Sequence, residues 1–142
     1  MSTSLRLTLP FLLAAWPALA ADPPAVSPPD TKPAAPDAID VYFEVGSAHI
    51  RQQDLAELDH AARLYRDGKP ILMTVAGSAD ASGSPQTNLR LSQERAFAVF
   101  QGLVARGIPA ARFQILAKGV TDPVVPDNAN DSHNRRAEIT WK

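Results

Sequence analysis

The chain has 142 residues, with 14 Lys and Arg against 15 Asp and Glu, a net charge of −1, three histidines and no cysteine. So even a balance of charge, with 6% aromatic residues, gives no electrostatic footprint for nucleic acid or anionic lipid and no stacking platform for single strands. Without cysteine there is no disulfide framework and no thiol nucleophile, and His49, His60 and His133 are scattered rather than set at ligand spacing, so neither a metal, a cofactor nor an enzyme is expected.

Residues 1–20 read as a secretory signal. Arg6 and the free amine give a positive start, and Leu7 to Ala20 is an apolar stretch ending Ala18-Leu19-Ala20, with cleavage expected after Ala20. The alternative, a retained anchor, needs about 20 apolar residues, and Pro10 and Pro17 interrupt this shorter run. Arg6 is the one charged residue in the segment, so cleavage leaves 13 basic residues against 15 acidic. The absence of cysteine also excludes lipid attachment at that residue, and a free periplasmic protein without a membrane span is expected. Residues 21–37 hold six prolines and almost no large apolar side chain, the composition of a semi-extended linker, either a functional spacer or a remnant without a role.

From Ala38 to Lys142 the chain is the size of one domain. Ile39, Val41 and Phe43 alternate with polar residues as a strand, and Gly46-Ser47-Ala48 turns it. Leu55, Leu58, Ala61, Ala62 and Tyr65 recur at three- and four-residue steps, which predicts a helix over 52–66 ended by Gly68 and Pro70. Ile71 to Ala76 is a short apolar strand. Ser84 as N-cap and Pro85 at the first helical position open a second helix, closed by Gly107 and Pro109, with Leu89, Ala96, Phe100 and Leu103 as its core stripe. Phe113 to Ala117 and Ala137 to Trp141 supply two more strands. The order strand-helix-strand-helix-strand-strand predicts an α+β two-layer sandwich, two helices on one face of a mixed sheet, with the helical crossovers joining parallel neighbours and the other face partly solvated.

Asp80 leaves a buried strand through Gly77-Ser78-Ala79, where a short loop can aim a carboxylate across the sheet end. Asn88 and Arg95 are two turns apart on the second helix, at the flank of its apolar stripe, so Arg95 is expected half buried with its head toward Asp80. Two readings stand: Asp80 and Arg95 pair and brace the loop while Asn88 caps it, or the three receive a ligand. Asn134-Arg135-Arg136 is likewise open to anion contact or to bracing through carbonyls or a carboxylate such as Glu44, and bracing is the commoner role of arginines ahead of a terminal strand. Asp80 beside an arginine is a poor general acid or base near neutral pH.

Val41-Tyr42-Phe43-Glu44-Val45-Gly46-Ser47-Ala48, Gly77-Ser78-Ala79-Asp80-Ala81-Ser82-Gly83-Ser84, Asn88 to Ala96 and Asn134-Arg135-Arg136-Ala137-Glu138-Ile139 together resemble the OmpA-like C-terminal domain family. The resemblance implies the sandwich above and non-catalytic binding of the peptidoglycan stem peptide. In it Asp80 accepts from the ammonium of meso-diaminopimelate, Arg95 grips its carboxylate, Asn88 and Ser82 add hydrogen bonds, and backbone near Gly46 forms a wall. Such a role implies anchoring or tethering to the cell wall in the cell envelope, with outer-membrane association within the same expectation. The family usually carries histidine and threonine where this chain has Ser78 and Ala79, and Thr121 to Ser132 adds Asp122, Asp127 and Asp131 near the expected mouth. The rival expectation is the same fold as a protein-protein module for an envelope partner with wall binding lost, which an exposed Phe97 would favour. One site of three charge-assisted bonds is expected to bind at micromolar to millimolar strength, so a homodimer would help retention.

Overall fold

The computed structural model describes residues 38–70 and 72–142. The signal segment 1–20 and linker 21–37 lie outside the described residues. Alternation of apolar and polar side chains makes β1 (Ile39–Tyr42), and a 3-10 turn at Gln52–Asp54 leads into α1 (Leu55–Gly68). The chain leaves α1 two residues later than the expected end at Arg66. Gly68 is still helical, and Lys69 takes the left-handed conformation (φ 45°), because Pro70 disfavours the right-handed α region at the residue before it. β2 (Met73–Gly77) follows; the first residue expected of it, Ile71, lies outside the described residues. Ser84 caps α2 (Pro85–Val104) by accepting from the Thr87 N–H at 3.2 Å, with Pro85 at the first position as expected. β3 (Phe113–Ala117) and β4 (Arg136–Trp141) complete the sheet. No helix among the described residues is long and apolar enough to cross a membrane.

The strands lie in the order β1-β4-β2-β3. β2 and β3 are parallel neighbours across α2, as a helical crossover requires. The first crossover departs from the expectation of adjacent strands: β1 and β2 run in the same direction, but β4 inserts between them, antiparallel to both. The last strand is therefore central, and β1 and β3 are the edges. Register sets Ile39 against Ile139, Val41 against Ala137 and Val75 against Ile139, so these side chains share the face on which Leu58, Ala61 and Ala62 of α1 and Ala96, Val99 and Leu103 of α2 pack. The opposite face carries Asp40, Tyr42, Thr74, Glu138 and Thr140, all half buried, and Arg136, which pairs with Asp40 at 3.2 Å and Glu138 at 3.1 Å.

Ala96 and Leu103 of the expected α2 stripe lie in the core and Phe100 is half buried, but the first turns depart from it. Leu89 is 51% exposed, whereas Asn88, Ser92 and Arg95 are buried in line with Val99 and Leu103. The cause is how close the helix comes to β2: a Cβ on Gly77 would stand 1.8 Å from the Ser92 carbonyl oxygen. At that separation no large apolar side chain fits between them, and the helix face there is built from polar groups that bond to backbone.

Candidate functional site

The C-terminal ends of β1, β2 and β3 and the start of β4 lie at one end of the sheet, where the loops 43–51, 78–84 and 118–135 meet the first turns of α2. Backbone bonds tie these loops together: Ser78 N–H to Arg136 O at 2.8 Å, Phe43 N–H to Arg135 O at 2.9 Å, Ala79 N–H to Gly119 O at 2.7 Å and Ala81 N–H to Ala129 O at 3.0 Å. The loop from residue 121 to 132 is pinned by Asn134, 1% exposed, which accepts from Val125 N–H at 3.0 Å and donates to Asn128 O at 3.0 Å. Asn134 is thus a loop staple, and Asp122, expected to add acidity at the mouth, is paired with Lys118 at 2.7 Å.

Asp80 sits at the centre of this corner and is 4% exposed. One carboxylate oxygen accepts from the Ser82 N–H at 3.2 Å and from the Ser82 hydroxyl; the other accepts from Arg135 Nη1 at 3.0 Å. Burial opposes the charged form, but the bonds from Ser82 and Arg135 outweigh it and leave the carboxyl below its usual pKa. The Asp80 partner is thus Arg135, 55 residues away in sequence, rather than Arg95. Bracing by the Asn134-Arg135-Arg136 segment is observed, with different carboxylates from the one the sequence offered: Glu44 pairs with Arg51 at 3.6 Å, while Arg135 also donates to Phe43 O at 3.1 Å.

Arg95 is deeper than expected, 0% exposed rather than half buried. Its Nε donates to Ser47 O at 2.9 Å, Nη1 to Ser78 O at 2.9 Å and Nη2 to Glu44 O at 3.0 Å, and its guanidinium lies 5.3 Å from the centre of the Phe43 ring. One side chain therefore clamps the loop after β1 to the loop after β2. Burial lowers its pKa to about 10, with the nearby Asp80 carboxylate opposing that and the Arg135 charge adding to it, so it stays charged at neutral pH.

Asn88 donates to Gly83 O at 3.1 Å and closes the 80–84 loop against α2, the capping role open to it in the sequence. Gly46 is exposed and has φ +65°, which an L side chain rarely adopts, so the turn after β1 requires glycine there. Ser92, which sequence reasoning passed over, accepts from Gly119 N–H at 3.0 Å and joins α2 to the loop after β3. Ser78 and Ala79 are both buried, and the corner is held by their backbone groups.

A second surface feature lies on the far side of α2. Leu89, Gln93, Glu94 and Phe97 of the helix and Ile115 and Ala117 of β3 line an open groove, in which Phe97 is 47% exposed.

Residues 42–137 match the model of the OmpA family. The chain is 32% identical over 101 residues to the peptidoglycan-associated lipoprotein of Pseudomonas putida, covering 69% of this chain and 60% of that protein. It is 34% identical over 102 residues to outer membrane protein A of Yersinia pseudotuberculosis, covering 70% of this chain and 29% of that one. The chain thus spans less than two thirds of either relative. Among solved structures, the peptidoglycan-associated lipoprotein of Burkholderia pseudomallei superposes with a TM-score of 0.67 at 30% identity, covering 72% of this chain and 89% of that one. With both helices on one face of the mixed four-stranded sheet and a family match over most of the described residues, the chain belongs to the OmpA family.

Proposed function

We propose that the protein is a non-catalytic binder of peptidoglycan that holds the stem peptide at meso-diaminopimelate in the periplasm. The observation that carries this reading is Asp80: a nearly buried carboxylate kept ionised at the junction of three loops, where an incoming ammonium would find a charged acceptor. The names of the relatives, two of them peptidoglycan-associated lipoproteins, support the same class of ligand. In this mechanism Asp80 accepts from the diaminopimelate ammonium, Ser82 orients that carboxylate and offers its hydroxyl to the stem, Asn88 fixes the loop, and backbone at Gly46 walls the site. Arg95 contributes positive charge from beneath and holds the walls together. Residues 1–20 act as a signal cleaved after Ala20, residues 21–37 as the tether and 38–142 as the wall-binding domain, in a protein associated with the cell wall or outer membrane. Retention on a repeating polymer comes from rebinding or from a homodimer raising effective concentration.

Cosedimentation with purified diaminopimelate-type sacculi tests the reading. The wild type pellets with the sacculi, and Asp80→Ala, folded by circular dichroism, stays in the supernatant; equal pelleting of the two refutes the site. A second reading, a protein-protein module of an envelope assembly, draws on the exposure of Phe97 beside Leu89 and Ile115. It becomes the better one where the wild type fails to pellet and Phe97→Ser removes an envelope cross-link that Asp80→Ala retains.

A further inference from the structure

We propose that the free edge of β3 pairs antiparallel with β3 of a second copy, joining the two four-stranded sheets into one continuous sheet. This gives the homodimer named above a surface, but the pairing itself does not depend on the stem-peptide ligand. β3 has β2 on one side and no strand on the other among the described residues. Lys118 N–H bonds to Gly77 O at 2.9 Å, so by the alternation of a strand the backbone groups of Leu116 and Gln114 also point at β2, and those of Phe113, Ile115 and Ala117 point out from the sheet. Folded proteins normally blunt such an edge with a charge, a proline or a bulge. Phe113-Gln114-Ile115-Leu116-Ala117 has no charge and no proline, and its register with β2 runs without a bulge. Ile115 on the helix face and Leu116 on the opposite face are both exposed. The other edge, β1, is one residue shorter and carries Asp40 paired with Arg136.

Geometry selects a second copy as the occupant. A two-fold axis through Ile115 sets Ile115 opposite itself and Phe113 opposite Ala117, the residues whose backbone groups point outward, so each pair exchanges both of its N–H···O bonds. α2 lies over β2 and β3 together, with the Ser92 backbone close to Gly77 and the Phe100 ring 5.2 Å from that of Phe113. Its axis is therefore about half a strand spacing inside the edge. With strands about 4.8 Å apart across the new pairing, the two α2 helices run antiparallel at about 10 Å, the separation of packed helices. The groove lined by Leu89, Phe97 and Ile115 then faces the same groove of the second copy, and the apolar side chains of each leave water. At the strand ends Lys118 falls opposite Arg112 of the second copy, with Asp122 already bonded to Lys118 at 2.7 Å and so placed between the two basic groups. Residues 21–37 of the chain itself are a poor occupant, because their six prolines have no N–H to give to a ladder. Antiparallel pairing also points the two loop corners with Asp80 in opposite directions, so one dimer presents its candidate sites to separate segments of a surrounding polymer.

Sedimentation equilibrium of the purified protein tests the pairing, with variants at Ile115 because a residue on the two-fold axis meets its own copy. Wild type dimerises reversibly, and Ile115→Lys, folded by circular dichroism, self-associates at least about tenfold more weakly, since like charges then stand directly opposite each other and two apolar side chains are lost from the contact. Ile115→Glu alone behaves in the same way, and an equimolar mixture of Ile115→Lys and Ile115→Glu dimerises again. Wild type that stays monomeric at millimolar concentration overturns the proposal and leaves the edge to a strand of another protein. A dimer that both variants retain overturns it as well, by placing the contact elsewhere. Should the variants fail to fold, amide exchange of wild type decides: on raising the concentration the Ile115 and Ala117 N–H groups become protected, while that of Leu116, directed at β2 within its own sheet, does not change. Equal exchange of Ile115 and Ala117 at low and high concentration overturns the pairing. None of these outcomes bears on whether Asp80→Ala abolishes pelleting with sacculi, so the stem-peptide reading stands or falls separately.

Discussion

At the scale of single residues, the chemistry of the candidate site comes from three charged side chains in two different states. Asp80 and Arg135 form a largely buried pair at 3.0 Å, while Arg95 donates to three backbone carbonyls. The Asp80 carboxyl is held below its usual pKa in the folded protein, so its contribution to stability is present above the unfolded value of about 3.9 and is lost as pH falls through the lower folded value. Asp80→Ala is therefore expected to lose about 2 kcal/mol at pH 7, through the charge-assisted bonds removed, and the gap from wild type should close below about pH 4 in urea melts run across that range. Arg95→Lys keeps the charge but loses the planar fork, so at most part of the three-carbonyl clamp is remade; a loss of about 3 kcal/mol in the same melts is the expected result. If Arg95→Lys were as stable as wild type, the clamp would contribute nothing to the fold.

Elements act through how closely they approach. Gly77 ends β2 where α2 comes close, and an added Cβ would stand 1.8 Å from the Ser92 carbonyl oxygen, backbone that cannot swing aside. Gly77→Ala should therefore push α2 away from the strand and cost about 3 kcal/mol, read from the denaturation midpoint, with weakened amide protection at Gly119, whose N–H is bonded to Ser92 across the same gap. The same approach explains why the N-terminal half of α2 buries polar residues, while Ala96, Val99 and Leu103 further along pack in the core. Hydrophobic periodicity put Leu89 in the core because an apolar residue on a helix facing a sheet is normally buried. Here the helix is turned so that Asn88, Ser92 and Arg95 face inward and satisfy backbone groups, and Leu89 is left beside the groove with Phe97.

For the whole molecule, two surfaces are separated by the thickness of α2: the loop corner with Asp80 and the groove with Phe97. Because Phe97 is nearly half exposed, Phe97→Ser should change stability by less than about 1 kcal/mol and leave pelleting with sacculi intact, in contrast to Asp80→Ala; loss of pelleting in Phe97→Ser would join the two surfaces in one function. Local patterning was enough to determine the two helices, the Ser84-Pro85 cap, the four strands and the α+β class, because period, capping and turn chemistry act within a few residues. The separated motifs were enough for the family. Tertiary structure alone decided that β4 lies between β1 and β2, since pairing between residues as far apart in sequence as Ile39 and Ile139, or Asp40 and Glu138, leaves no local trace. It alone decided that Asp80 meets Arg135 and that Arg95 is sealed, because which guanidinium reaches a carboxylate depends on where three loops converge and how much solvent they exclude, and neither is written in the spacing of residues along one helix.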